Sequence, residues 1–223
     1  MAGSPLDDSI VTAERARARA KAIDATPNKS KLPLAGVPFA VKNLVAKVLG
    51  AREEIEIPAA RRARAAAYLI TTTEGAALHL DRLRNQASEF DPAVRDRLLA
   101  GAMVPSTLVV KAQIFRRWYR DYVVGLFKHC DAILAPATPV TAPKLGQVNF
   151  TLDGVELPVC ANMGINTQPI CFTGLPVVAV PVPLKPLPIG VQIITAPWRV
   201  DIALRIAYAL EQMGVCAATQ PKL

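Results

Sequence analysis

Two nearly uninterrupted apolar runs, PVVAVPV at 176–182 and PIGVQIIT at 188–195, restrict the fold of this chain more than any other feature. Val/Ile runs of six or seven residues suit strands covered on both faces, because no position is left to face water. The segment between them, LKPLP, is short and proline-rich, so Val177–Val182 and Gly190–Thr195 are expected side by side through a tight connection. A chain of 223 residues that is 52% apolar can bury a sizeable core around such strands as a single domain spanning 1–223.

A third segment, GVPFAVKNL at 36–44, closes its apolar run with a lysine, Lys42. Val37, Phe39 and Val41 alternate with Pro38 and Ala40 after Gly36, which reads as a short buried strand entered through a turn. Lys42 then stands at the end of an apolar strand. Burial disfavours an ammonium ion and pulls its pKa down toward about 7 to 8, the range that suits a general base. Spacing alone favours the plainer reading, a snorkelling lysine with a packed stem and a wet head.

Helices fill the intervals. Thr12–Asp24 reads as an amphipathic helix capped by Thr12, followed by Val45–Leu49 and a strand in EEIEIP with Ile55 and Ile57 facing inward. Pro58 suits the first position of a helix running to about Arg84, in which Thr71, Thr72 and Thr73 form a weak point of low propensity. Asp91 and Pro92 make a cap for a short helix to Leu99 that Gly101 stops. Leu108, Ala112, Phe115, Tyr119, Tyr122 and Leu126 recur at steps of three and four, predicting a core-facing stripe along a helix from Ser106 to Phe127. Ala132–Ala135 reads as a strand with Thr138 just beyond its tip, TLDG as a hairpin turn, and Asp201–Met213 as a terminal helix.

Several words in the chain resemble the amidase signature hydrolases, and most closely their carboxybiuret hydrolase branch. GVPFAVKNL resembles the lysine strand, TTTEGAALHL a segment bordering the substrate pocket, PATP a strand end facing the active site, and NTQPICFTGLPVVAVPV with PIGVQI the C-terminal helix and strands. The resemblance covers nearly the whole chain. It implies an α/β fold: a mixed β-sheet of the amidase-signature type covered by helices on both faces, incomplete in this chain. It implies hydrolysis of a C–N amide bond in a small amide or urea-like substrate by a Ser, cis-Ser, Lys triad. Lys42 is then the catalytic base, and His79, Thr138 and Gln168 are candidate substrate contacts. By itself, His79 reads as a helix-surface or capped core histidine.

The same resemblance exposes a gap. The family's Gly/Ser-rich run, which supplies both serines and the oxyanion-hole amides, has no counterpart: Ser4, Ser9, Ser30, Ser88 and Ser106 lie outside any such run. VAKVLGAREEIEIP resumes the family pattern directly after Leu44, so a deletion or omitted segment is expected near 44–46. Without its nucleophile the chain is expected to be inactive in amide hydrolysis. The alternative is a non-catalytic binding or partner-subunit protein derived from the same fold, acting with a small partner subunit or as a homo-oligomer.

Cys130, Cys160, Cys171 and Cys216 follow no metal-ligand spacing and are expected as reduced, buried thiols, with no metal and no cofactor. The net charge of +8 lies in short helical patches, Arg61, Arg62 and Arg64 and then Arg116, Arg117 and Arg120. No phosphate loop or other nucleic-acid motif accompanies it, so nucleic acid is not an expected partner. No apolar run approaches the roughly 20 residues of a membrane span, and MAGSPLDDS lacks a signal-peptide core, which together suggest a cytoplasmic protein.

Overall fold

The computed structural model describes residues 55, 57–184 and 186–217. The expected helix at Thr12–Asp24, the strand carrying Lys42, the turns at Val45–Leu49 and the junction at 44–46 lie outside the described residues. The chain divides into two compact units. One is helical, built from Ala59–Leu126 and Gln168–Gly174; the other holds the strands, within Phe127–Thr167 and from Leu175 onward.

The helical unit starts with α1, Ala60–Asn85. Its N-cap is Ala59, held at a left-handed φ of 60°, so Pro58 stands before the helix and not at its first position. Thr71–Thr73 do not interrupt it. The Thr71 hydroxyl donates to the Ala67 carbonyl at 2.9 Å and Thr73 to Leu69 at 2.8 Å, so the side chains satisfy themselves on the preceding turn and leave the ladder intact. A 3₁₀ turn, Ala87–Glu89, leads to α2, Pro92–Ala102, where the Asp91 carboxylate accepts from Ala93 N–H at 2.9 Å with Pro92 opening the helix.

Gly101 lies inside α2 and does not stop it at Leu99. A Cβ at Gly101 would sit 2.4 Å from the Thr72 carbonyl oxygen, and one at Gly75 would sit 2.9 Å from Leu98. Gly101 therefore lets α2 come against the α1 backbone, and Gly75 leaves room on α1 for the Leu98 side chain.

α3, Ser106–Leu126, buries Ala112, Tyr119 and Val123. The expected stripe is thus rotated: Leu108 and Tyr122 are exposed and Val123 takes a core place. A one-turn helix, Gln168–Cys171, here α5 because another short helix precedes it in the chain, joins this unit. The Tyr119 and Phe172 rings meet at 5.7 Å, while Arg116 and Arg120 donate to the Phe172 and Thr173 carbonyls.

In the other unit β1, Ala132–Pro136, is followed by the hairpin of β2, Asn149–Leu152, and β3, Val155–Pro158. Asp153 and Gly154 turn it with φ of 51° and 78°, the double left-handed geometry that Asp-Gly favours. α4, Val159–Asn162, follows directly. β4, Val177–Val182, and β5, Ile189–Thr195, pair antiparallel as expected, and β1 pairs with the other side of β5. The order β1-β5-β4 makes β5 the central strand, with Val191, Ile193 and Ile194 almost wholly buried. β4 stands at the end of the three described strands and alternates exposed with buried, so its unbroken apolar run does not reflect cover on both faces. All pairings among the described strands are antiparallel.

α6, Val200–Gln212, packs Ala203 and Leu210 over Val180, Val182, Val191 and Ile193, with Cys216 closing the cluster. Ile55 and Ile57 are half-buried but carry no strand. No single described helix is long and apolar enough to cross a membrane.

Candidate functional site

Gln168 opens α5, whose position follows from two arginines. α5 is one turn long, so the carbonyls of the buried residues Phe172 and Thr173 just past its end need donors from elsewhere. Arg116 Nε and Arg120 Nε, one turn apart on α3, supply those donors, the second at 3.1 Å. Thr173 is buried and its hydroxyl donates back to Ile170 at 2.6 Å. Gln168 is thereby presented to α1, where Arg64 Nε donates to its Oε1 at 2.8 Å.

These elements enclose an open cleft of about 380 Å³. α1 contributes Tyr68, Thr71 and Glu74, α2 contributes Arg97, α3 contributes Arg116, and Gln168, Cys171 and Phe172 close the far side. Arg97 is pinned: its Nε donates to Thr72 and its Nη2 to Thr71, each at 3.2 Å, while the guanidinium lies 4.5 Å from the Tyr68 ring centroid. Ala67, Ile70 and Phe172 make much of the lining apolar, and the Glu74 carboxylate with the Arg97 and Arg116 guanidiniums are its charged points.

Of the four residues singled out from the sequence, Gln168 lines this cleft. His79 does not. It sits further along α1 with its ring edge-on to Phe90 at 5.9 Å. Thr138 is half-buried just beyond β1 in the strand-bearing unit. Lys42 lies outside the described residues.

Sequence reading misses Gln192, in the middle of the PIGVQI word. It is 2% exposed, and its Nε2 donates to the Pro136 carbonyl at 2.9 Å and the Asn166 carbonyl at 3.0 Å. Gly190 approaches closely as well: a Cβ there would meet Ala137 at 2.9 Å. Both hold the end of β1, and so set the backbone leading into Thr138. A glutamine inside a Val/Ile strand is the available signal, since a buried amide needs partners.

The four cysteines form no disulfide among the described residues, and of them only Cys216 is buried, where desolvation pushes its thiol up; Cys160 and Cys171 are exposed and Cys130 is half-buried. The expectation of four buried thiols therefore fails for three. Among the described residues no cluster of His, Cys, Asp or Glu could hold a metal.

Residues 51–201 match the Amidase family. The chain belongs to the amidase family. It is 42% identical over 179 residues to the AtzE component of 1-carboxybiuret hydrolase from Pseudomonas sp. (strain ADP), covering 79% of this chain and 39% of that protein. Against the "Fatty acid amide hydrolase" of Oryza sativa subsp. indica the identity is 31% over 183 residues, with 80% and 30% covered. Among solved structures, one described as "An unexpected vestigial protein complex reveals the evolutionary origins of an s-triazine catabolic enzyme" superposes with a TM-score of 0.79 at 40% identity. That likeness covers 84% of this chain and 41% of the other. The chain spans less than half the length of each of these relatives.

Proposed function

We propose that this chain derives from an amidase that hydrolyses a C–N bond in a small amide or urea-like substrate by a Ser, cis-Ser, Lys mechanism. In this reading Lys42 is the base that accepts the nucleophile's proton through the middle serine. Gln168 offers an amide to the substrate's polar groups, Thr138 a hydroxyl and His79 an imidazole. The observation that carries the proposal is a conjunction: family-wide similarity from residue 51 onward, and no Gly/Ser-rich run among 223 residues to supply an attacking hydroxyl and oxyanion donors.

The proposal includes a deletion near 44–46 and predicts that the 223-residue chain leaves simple amides intact, since losing the triad serines costs orders of magnitude in rate. The test is an assay of the purified, mass-verified chain and its Lys42→Ala variant against amides and urea derivatives. No turnover by either supports the reading; turnover that vanishes with Lys42→Ala would show that another nucleophile serves and would refute it. An intact mass above that of the 223 residues would place the missing segment in the protein and overturn the deletion.

A second reading, as a non-catalytic subunit, is favoured by one finding: the similar structure at 40% identity is described as a protein complex. Co-purification of a small stoichiometric partner, with no amidase activity in the complex, would favour it over the first.

A further inference from the structure

α3 has apolar residues on two faces, and among the described residues only one is buried. Ala112, Tyr119 and Val123 are buried. On the opposite side Val110, Ile114, Trp118 and Tyr122 are 57%, 66%, 52% and 37% exposed. Their spacing of four draws a continuous stripe along the helix. Trp118 packs within it against its own helix, 5.4 Å from the Phe115 ring and stacked 6.2 Å from Tyr122. An exposed tryptophan is the kind of side chain that anchors an interface.

The residues along the centre line of this face are Thr107, Lys111, Ile114, Trp118, Asp121 and Gly125, separated by four, three, four, three and four. That is the a/d spacing of a coiled-coil seam. All but Gly125 are exposed, and Gly125 is half-buried. The order is also complementary to its own reverse. Two copies of α3 laid antiparallel, with the two-fold axis level with Arg116, pair Ile114 with Trp118, Lys111 with Asp121, and Thr107 with Gly125. Each charge then meets its opposite, and the small residues let the helix ends close. A parallel pair would set lysine against lysine and aspartate against aspartate, so the charges select one orientation. Among the described residues Asp121 has a 3.9 Å contact with its neighbour Arg120, and both side chains are well exposed.

We propose that the outward face of α3 is a homodimer interface, an antiparallel helix pair occupied by a second copy of this chain. A seam of six layers, three of them distinct by symmetry, on one 21-residue helix is small, and the dimer belongs to the weak end of specific interfaces. It does not depend on the catalytic reading, because no residue proposed for substrate takes part.

The test is sedimentation equilibrium of the full chain in a concentration series reaching about 1 mM, repeated on variants. The wild type should pass from monomer to dimer. Trp118→Glu and Ile114→Glu, at exposed positions and checked for unchanged circular dichroism, should each weaken the dimer by about tenfold or more. Lys111→Asp and Asp121→Lys should each weaken it, and the double exchange should restore it, since it re-forms the pair with the signs reversed. A chain that stays monomeric at every concentration, associates only with a different protein, or forms a dimer indifferent to Trp118→Glu would overturn the proposal. So would failure of the double exchange to restore what the single exchanges lose.

Discussion

Replacing Gly101 with alanine sets two effects of opposite sign against each other, and the structure says which is larger. Gly101 lies within α2, and alanine in a helix interior is favoured over glycine by about 1 kcal/mol. The added methyl, however, would sit 2.4 Å from the Thr72 carbonyl oxygen and 2.7 Å from the Thr72 methyl. Carbon and oxygen rest at about 3.3 to 3.6 Å, so α2 must retreat from α1 by about 1 Å at this point. The atom struck is backbone in the middle of a helix, which cannot swing aside. Retreat loosens the packing of buried Leu98 and stretches the 3.2 Å bonds from Arg97 to Thr71 and Thr72. Overpacking of this kind costs about 1 to 3 kcal/mol, and a clash with backbone belongs at the upper end, leaving a net loss of about 1 to 2 kcal/mol. For a chain of this size that lowers Tm by about 2 to 8 °C. Urea titration read by circular dichroism gives the free energy and a thermal scan gives Tm. A Gly101→Ala protein more stable than wild type would mean that propensity governs the site and that α1 and α2 are not in backbone contact.

Asp91→Ala removes the carboxylate that accepts from Ala93 N–H and should cost about 1 kcal/mol in the same titration, with Asp91→Asn recovering most of it. Tyr119 is fully buried and its hydroxyl finds no hydrogen-bond partner among the described residues, so Tyr119→Phe should be neutral or stabilising by about 1 kcal/mol. Burial first, then the neighbouring Tyr122, raises the Tyr119 pKa above its ordinary value. The folded state therefore holds a proton that the unfolded chain releases above about pH 10, and stability from this group is full below that pH and lost above it, by up to about 1.4 kcal/mol per unit. Wild type should lose ground to Tyr119→Phe in alkaline denaturation; parallel curves above about pH 10 would contradict this. Gln192→Leu strands the Pro136 and Asn166 carbonyls and should destabilise by about 1 to 3 kcal/mol, whereas a neutral result would mean water replaces the amide at no cost.

What can be read from the sequence is what local chemistry decides. Asp153-Gly154 is a hairpin turn in any context, and the Asp91-Pro92 pair caps a helix whatever it packs against. The Val/Ile composition of β4 and β5 demands strands, and a short connection demands that they pair. Position within the sheet is not legible: β4 is as apolar as β5, yet only β5 is covered along its length, because cover depends on what arrives from elsewhere in the chain. The α3 stripe is misplaced by periodicity because that helix carries apolar residues all round, Val110, Ile114 and Val124 lying away from the aromatic side, and a period cannot choose between two apolar faces. Thr71–Thr73 read as a weakness since propensity ignores hydroxyls that return to the helix. Gly101 reads as a stop because a glycine that allows close approach and one that ends a helix look alike in one dimension. Of the candidate site, Gln168 can be named from its motif, but not the arginines that position it, whose partners lie 53 and 56 residues away.

The way Arg116 and Arg120 hold α5 bears on how this region can drift over generations. Both address main-chain oxygens, which every residue type carries, so the side chains at 172 and 173 can change without forfeiting those two bonds. Mutational load falls instead on the donors. A lysine at 116 or 120 keeps the charge but has no Nε–H fixed part-way along a planar fork, and so cannot reach sideways to the carbonyl while its end group faces elsewhere. Selection on this stretch should therefore be lopsided: permissive where the bond is received, and intolerant of even a like-charged exchange where it is given.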